Sequence, residues 1–416
     1  MSSQEPVGRS RVVAEAVARR SYGKLVALLA SHTGDVAAAE DALSEAFASA
    51  LVNWAAKGCP SHPEAWLLSA AKRKVVDMIR RKRSGERAAP DLELRGEEVD
   101  SATFSSADIP DHRLALMFAC AHPAIEAGIR APLILQVVLG LDAHRIASAF
   151  LTSPGAMGQR LWRAKNKIRQ AGIPFRVPER QELAGRLDAV LDAIYAAFAE
   201  GWADAGGTDV VRRELAEEAI FLARLVTELI PNAAEALGLL ALTLYVEARH
   251  DARRDESGEY VPLTEQDPAR WNAPMIDEAE ATLFRARGLG SIGRYQLEAA
   301  VQSAHVFRRR TATPNWEAVA QLYDALLALS GSPIVAINRA LAVAELRGPD
   351  AALETILRIE GARLMEYQPY WAARAELLAR TGRRAEAHQA YETAIGLERD
   401  PAVRRFLQKR QRAVNT

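Results

Sequence analysis

Apolar positions recur along this chain at spacings of three and four almost throughout, and strict alternation is rare, so the pattern predicts helices nearly end to end. Ala, Leu, Arg and Glu are abundant, and all are good helix formers. The first block predicts helices at about 11–30, 34–55 and 63–82, with Asp35, after Gly34, as N-cap of the second. Lys57-Gly58-Cys59-Pro60-Ser61-His62-Pro63 interrupts the period, because two prolines and a glycine in so short a stretch make a loop. Residues 84–110 lack periodicity and contain Gly85, Pro90, Gly96 and Pro110, so they read as a linker.

A second block runs over 111–172. Its stretch LGLDAHRIASAFLTSPGAMGQRLWRAKNKIRQ (139–170) predicts a short helix at about 143–150, a Leu-Thr-Ser turn and a longer helix opening at Ser153-Pro154. Ser as N-cap followed by Pro at the first helical position is a good start, and the spacing suits a helix-turn-helix. In the longer helix Met157, Leu161, Ala164 and Ile168 form one apolar stripe. Gln159, Arg160, Arg163, Lys167 and Gln170 fall opposite it, with Lys165 and Arg169 at the flank. From Arg160 to Arg169 there are five basic residues and no acidic one. A DNA-reading helix needs this division: one face holds the bundle, the other offers guanidinium forks to base edges and phosphates. A merely solvated basic face usually carries acidic partners, and this one has none.

The helix predicted at 63–82 places Leu68, Val75 and Ile79 on one side and Arg73, Lys74, Asp77, Arg80 and Arg81 on the other. Trp54 and Trp66 flank the loop before it. A basic helix beside a loop with aromatics suits single-stranded nucleic acid, whose bases need a stacking platform. Base rates for aromatic burial favour core packing for each Trp.

The remainder, 174–416, predicts consecutive helices joined by short Pro, Gly and Asp turns. Gly348 and Gly382 lie 34 residues apart, as do Ala351 and Ala385. A step of that length with Gly in the turn resembles tetratricopeptide repeats and predicts a short helical solenoid. The stretch 250–271 is too long for a helix-hairpin loop, and such insertions are often functional.

Composition changes this picture once it is divided. The 416 residues carry 53 basic and 53 acidic side chains, a net charge of zero, which on its face argues against nucleic acid. Residues 1–173, however, hold 23 basic against 18 acidic, a net of +5, and segment 84–111 within them is −6. Two basic blocks are thus separated by an acidic connector and followed by an acidic half at −5. That asymmetry points to nucleic acid or an acidic partner for the N-terminal part. Two cysteines, Cys59 and Cys120, make no disulfide framework and fit a reduced, cytoplasmic setting. The N-terminus has no signal-peptide layout, and no apolar run reaches membrane-spanning length, so no membrane role is expected. Cys59, His62, Cys120 and His122 supply four metal-ligand types, but the pairs come from different blocks at atypical spacing, so no metal is expected. No phosphate loop, nucleophile elbow or His-Glu-x-x-His is present, so neither a catalytic centre nor a cofactor is expected.

Three segments carry a family resemblance. EAWLLSAAKRKVVDMIRRKR (64–83) resembles region 2.4 of bacterial extracytoplasmic-function (ECF) RNA polymerase sigma factors, DALSEAFASAL (41–51) their region 2.2, and 139–170 their region 4.2 helix-turn-helix. AGIPFRVP (171–178), followed by the long helical half, resembles the subgroup with a C-terminal tetratricopeptide-like extension. The resemblance implies an all-α protein in four parts: region 2 bundle (1–84), acidic linker (85–110), region 4 (111–173) and solenoid (174–416). It implies a sigma factor that binds core RNA polymerase and directs transcription initiation, with no chemistry of its own. Asp41, Glu45 and Phe47 would dock on the clamp helices of the β′ subunit, and region 4 would meet the β flap. Lys57, His62, Trp66, Lys72, Arg73, Lys74, Arg80 and Arg81 would engage the melted −10 element of promoter DNA. Ser153, Gln159, Arg160, Arg163, Lys165 and Lys167 would read the −35 duplex. The solenoid would receive a signalling or regulatory protein. Ser44, Arg73, Arg145 and Gly158 differ from the residues common at those family positions. A different reading of the same features is a helix-turn-helix regulator with a helical sensor domain, which would not need 41–83.

Overall fold

The computed structural model describes residues 36–85, 111–150, 152–170, 178–202, 210–311, 313–359 and 364–414, and 11–30 in part. The fold is all-α. Among the described residues the regular elements are helices, and strand-like pairing is limited to the isolated bridge Arg254–Tyr260. Asp35 and the 86–110 stretch of the predicted linker lie outside the described residues, as do the side chains of Ile79, Arg80, Arg81 and Arg169. The chain divides into two compact units, 1–197 and 198–416.

In the first unit the described residues of 11–30 are helical. Helix Val36–Lys57 buries Ala39, Leu43, Ala46, Ala50 and Trp54, a row at spacings of three and four, and leaves Asp41, Glu45 and Val52 outside. Helix Pro63–Gly85 packs on it with Leu67, Ala71 and Val75. The buried row is therefore centred on Leu67 rather than Leu68, which sits partly exposed at its edge. Each fully buried Leu of these faces contributes about 1.5–3 kcal/mol.

Helices His112–Cys120, Ala127–Val137, Ala143–Ala149 and Pro154–Gln170 follow. Asp111 caps the first by accepting from the N–H groups of Arg113 (2.7 Å) and Leu114 (3.3 Å). This block packs closely against 11–30. A Cβ on Gly23 would lie 1.7 Å from the carbonyl oxygen of Val138, so only glycine fits there.

The first unit runs on past the expected boundary at 173/174. In this stretch Arg186, 3% exposed, donates to the Phe118 carbonyl (3.1 Å) and to Glu182 (2.9 Å). A buried guanidinium bonded this way ties 178–197 to the helix-turn-helix block. The division falls inside helix Leu187–Trp202.

The second unit is built of helix hairpins. Helix Ala234–Glu247 is apolar all round, with eleven buried residues between Ala234 and Tyr245, and helices Val210–Leu229, Ala273–Gly288 and Arg294–Val306 cover it. Glu235 caps the last of these through the N–H groups of Tyr295 (2.9 Å) and Gln296 (3.1 Å). Gly348 and Gly382 sit at the tips of two successive hairpins, with φ of 89° and 77°. The 250–271 stretch is three 3-10 turns, His250–Arg253, Leu263–Glu265 and Pro268–Arg270. It is held to helix Pro401–Val414 by Arg405–Glu259 (2.7 Å) and a Tyr260–Phe406 edge contact, and to Asp400 beside it by Arg254 (2.5 Å).

Candidate nucleic-acid interface

Helix Pro154–Gln170 starts as its sequence dictates. Ser153 Oγ accepts from the Ala156 N–H at 3.3 Å, and the Ser153 carbonyl takes the first helical bond from Met157 at 3.0 Å. The preceding helix is capped by Asp142, which accepts from the Arg145 N–H at 2.8 Å. Met157, Leu161, Ala164 and Ile168 are all buried against the neighbouring helices, Ala143–Ala149 and Ala127–Val137. Gln159, Arg163 and Lys167 are exposed, as the face argument requires. Trp162, beside Arg163, is 66% exposed. The stripe already put it on the outer face, but an aromatic in a helix reads first as core.

Two of the basic residues are engaged within the unit. The Arg160 guanidinium donates to the Gly128 carbonyl at 2.9 Å. Lys165 Nζ lies 2.6 Å from Glu40 Oε2, and both side chains are largely buried. Burial raises the Glu40 carboxyl above the ordinary carboxylate range, and the Lys165 charge opposes that rise. Burial, chiefly, and the Glu40 charge push the nearby Tyr22 phenol up to about 12.

The second basic element combines a loop with a helix. Gly58, at φ 84°, closes helix Val36–Lys57 with its N–H on the Trp54 carbonyl (3.0 Å). Trp54 is 2% exposed and belongs to the core; Trp66, partly exposed, meets it edge-on at 5.5 Å. Lys57, His62, Lys72 and Arg73 are exposed. Arg73 donates to the Ser69 carbonyl at 3.3 Å. Lys74 is held by Glu45 at 2.9 Å, which links the basic helix to the acidic outer face of its neighbour. On that face Asp41 and Glu45 stand one turn apart and exposed, with Phe47 partly buried on a different side.

Cys120 is fully buried, and burial pushes its thiol up, which makes it inert. Among the described residues no group of three or more His, Cys, Asp or Glu side chains is placed to hold a metal. No helix among them is long and apolar enough to cross a membrane.

Residues 17–85 match the family model for sigma-70 region 2. That match supports a sigma-factor-like role in transcription initiation, through core RNA polymerase and promoter DNA. Residues 186–287 match a family of unknown function, DUF6596. A protein of Rhizobium meliloti, described as uncharacterized, is 40% identical over 364 residues, 86% of each chain. No solved structure matches.

Proposed function

We propose that this chain, which belongs to the same family as its Rhizobium meliloti relative, is an alternative sigma factor of the ECF type whose C-terminal helical unit modulates its activity. The observation that carries this reading is the conjunction of a sigma-70 region 2 match over 17–85 with a helix-turn-helix whose outer face is basic. A helix-turn-helix regulator with a sensor domain accounts for the second feature and leaves the first without a role.

In this reading the exposed carboxylates Asp41 and Glu45 meet the polymerase, with Phe47 adding apolar contact. The 57–62 loop and the first turns of helix Pro63–Gly85 bring Lys57, His62, Lys72 and Arg73 to the melted strand, and Trp66 offers a ring for stacking. Ser153, Gln159, Arg160, Arg163, Lys165 and Lys167 address the −35 duplex, the exposed ones directly and Lys165 after release from Glu40. The protein performs no covalent step. Hairpins with glycine tips at a 34-residue step support a tetratricopeptide-like C-terminal unit, a surface suited to a regulatory partner.

In vitro transcription with core polymerase tests the reading. Promoter-dependent transcripts are expected with the full chain, and a chain ending after Ala197 should retain initiation with altered regulation. Stable operator binding without polymerase, and no stoichiometric complex with core polymerase, would sink it.

A further inference from the structure

The second unit buries a positive charge with no carboxylate beside it. Arg249 is 6% exposed, and its guanidinium spends bonds on the Tyr245 carbonyl (3.3 Å) and Gln302 Oε1 (2.5 Å), both neutral. Its charged neighbours are two more guanidiniums, Arg253 and Arg308, with the Tyr260 and Tyr323 phenols nearby. Burial first, and then the two arginine charges, pull Arg249 down to about 10. His305 is pushed down to about 4 by burial, Arg249 and Arg308, so the imidazole stays neutral rather than adding a further charge.

The two partners are fixed from outside. Arg253 lies over the Trp202 ring at 4.1 Å and donates to the Trp202 carbonyl. Arg308 lies over the Trp271 ring at 4.9 Å and donates to the carbonyls of Leu263, Thr264 and Gln266. Both are partly exposed, so the cluster reaches solvent. A folded chain ordinarily pairs a buried charge, because an isolated one is costly to desolvate. Here carbonyls and aromatic faces hold Arg253 and Arg308 beside Arg249; the Asp400 and Glu247 carboxylates act on Arg253, whereas the charges that act on Arg249 are the two arginines.

We propose that Arg249, Arg253 and Arg308 form a binding site for a small oxyanion, the phosphate or carboxylate group of a metabolite, with His305, Tyr260 and Tyr323 as its polar wall. Guanidinium forks match both groups, and the neutral imidazole and phenols are able to donate to either. The site would give the C-terminal unit a chemical input, and it stands whether or not the chain is a sigma factor.

Thermal melting of the full chain at constant ionic strength tests it, with chloride replaced stepwise by inorganic phosphate or by acetate. A saturable rise in midpoint with either anion is expected, and which of the two acts distinguishes phosphate from carboxylate recognition. Arg249→Met should abolish the rise. If that variant does not fold, Arg253→Gln, on the partly exposed side, should weaken the response at least tenfold. His305 gives an independent readout by NMR: saturating anion should bring its titration back toward the ordinary imidazole range. Equal melting in all three salts, or a response that survives in both arginine variants, overturns the proposal.

Discussion

Lys165 of the helix-turn-helix and Glu40 of the region 2 block, 125 residues apart in sequence, form a 2.6 Å ion pair with both side chains largely withdrawn from water. The pair joins a residue proposed for −35 recognition to the helix that carries Asp41 and Glu45. Glu40→Ala should therefore free Lys165 and raise binding to duplex DNA in the absence of polymerase. Lys165→Ala should not raise it. The coupling between the two positions, read from a double-mutant cycle of unfolding, should be about 0.5–3 kcal/mol. Zero coupling, or equal DNA binding by both single variants, removes the pair from any role.

The face assignment of helix Pro154–Gln170 separates two kinds of loss. Leu161→Ala should destabilise by about 2–5 kcal/mol, because the side chain is 2% exposed in a packed row. Arg163→Ala should change stability by about 0.5 kcal/mol or less, while promoter binding weakens and its salt slope falls by about one. Denaturant unfolding and salt-dependent binding on the same preparations check both.

These two cases mark what the sequence could convey. The Ser153 cap, the Met157–Leu161–Ala164–Ile168 stripe and the exposed Arg163 are set by spacing within one helix, and all were legible. The loop at 57–63 was equally plain, because its prolines and glycine act locally. What could not be read were the pairings of distant segments: Lys165 with Glu40, Arg186 with the Phe118 carbonyl, and Arg249 with Gln302 and Arg308. Arg186 ties 178–197 to the first unit, which ends at 197 rather than 173, and no periodicity announces a buried guanidinium. Trp162 lies off the apolar stripe, so its exposure follows from the same spacing.

Gly23 tests how the two N-terminal blocks meet. A methyl there would collide with the Val138 backbone oxygen, at the C-cap of helix Ala127–Val137. Gly23→Ala gains helix propensity of about 1 kcal/mol, yet the net result should be destabilisation by about 1–3 kcal/mol from overpacking. Hydrogen exchange should localise the loosening to 11–30 and 127–141. A stabilised variant would mean that the blocks do not approach this closely in solution.

His305 gives the second unit an acid limb. Its folded-state value, about 4, lies below the ordinary 6.5, with burial as the leading cause and Arg249 and Arg308 adding repulsion. The unfolded chain takes up a proton that the folded chain refuses, so stability is complete above about pH 6.5 and falls as pH drops toward 4. The loss should approach roughly 3 kcal/mol at the acid end. Melting midpoints recorded in chloride between pH 7 and 4 should slope accordingly for the second unit. His305→Gln should flatten the slope, since it keeps a polar side chain against Trp316 and removes the titration. If the slope is unchanged in that variant, His305 is not the group that titrates.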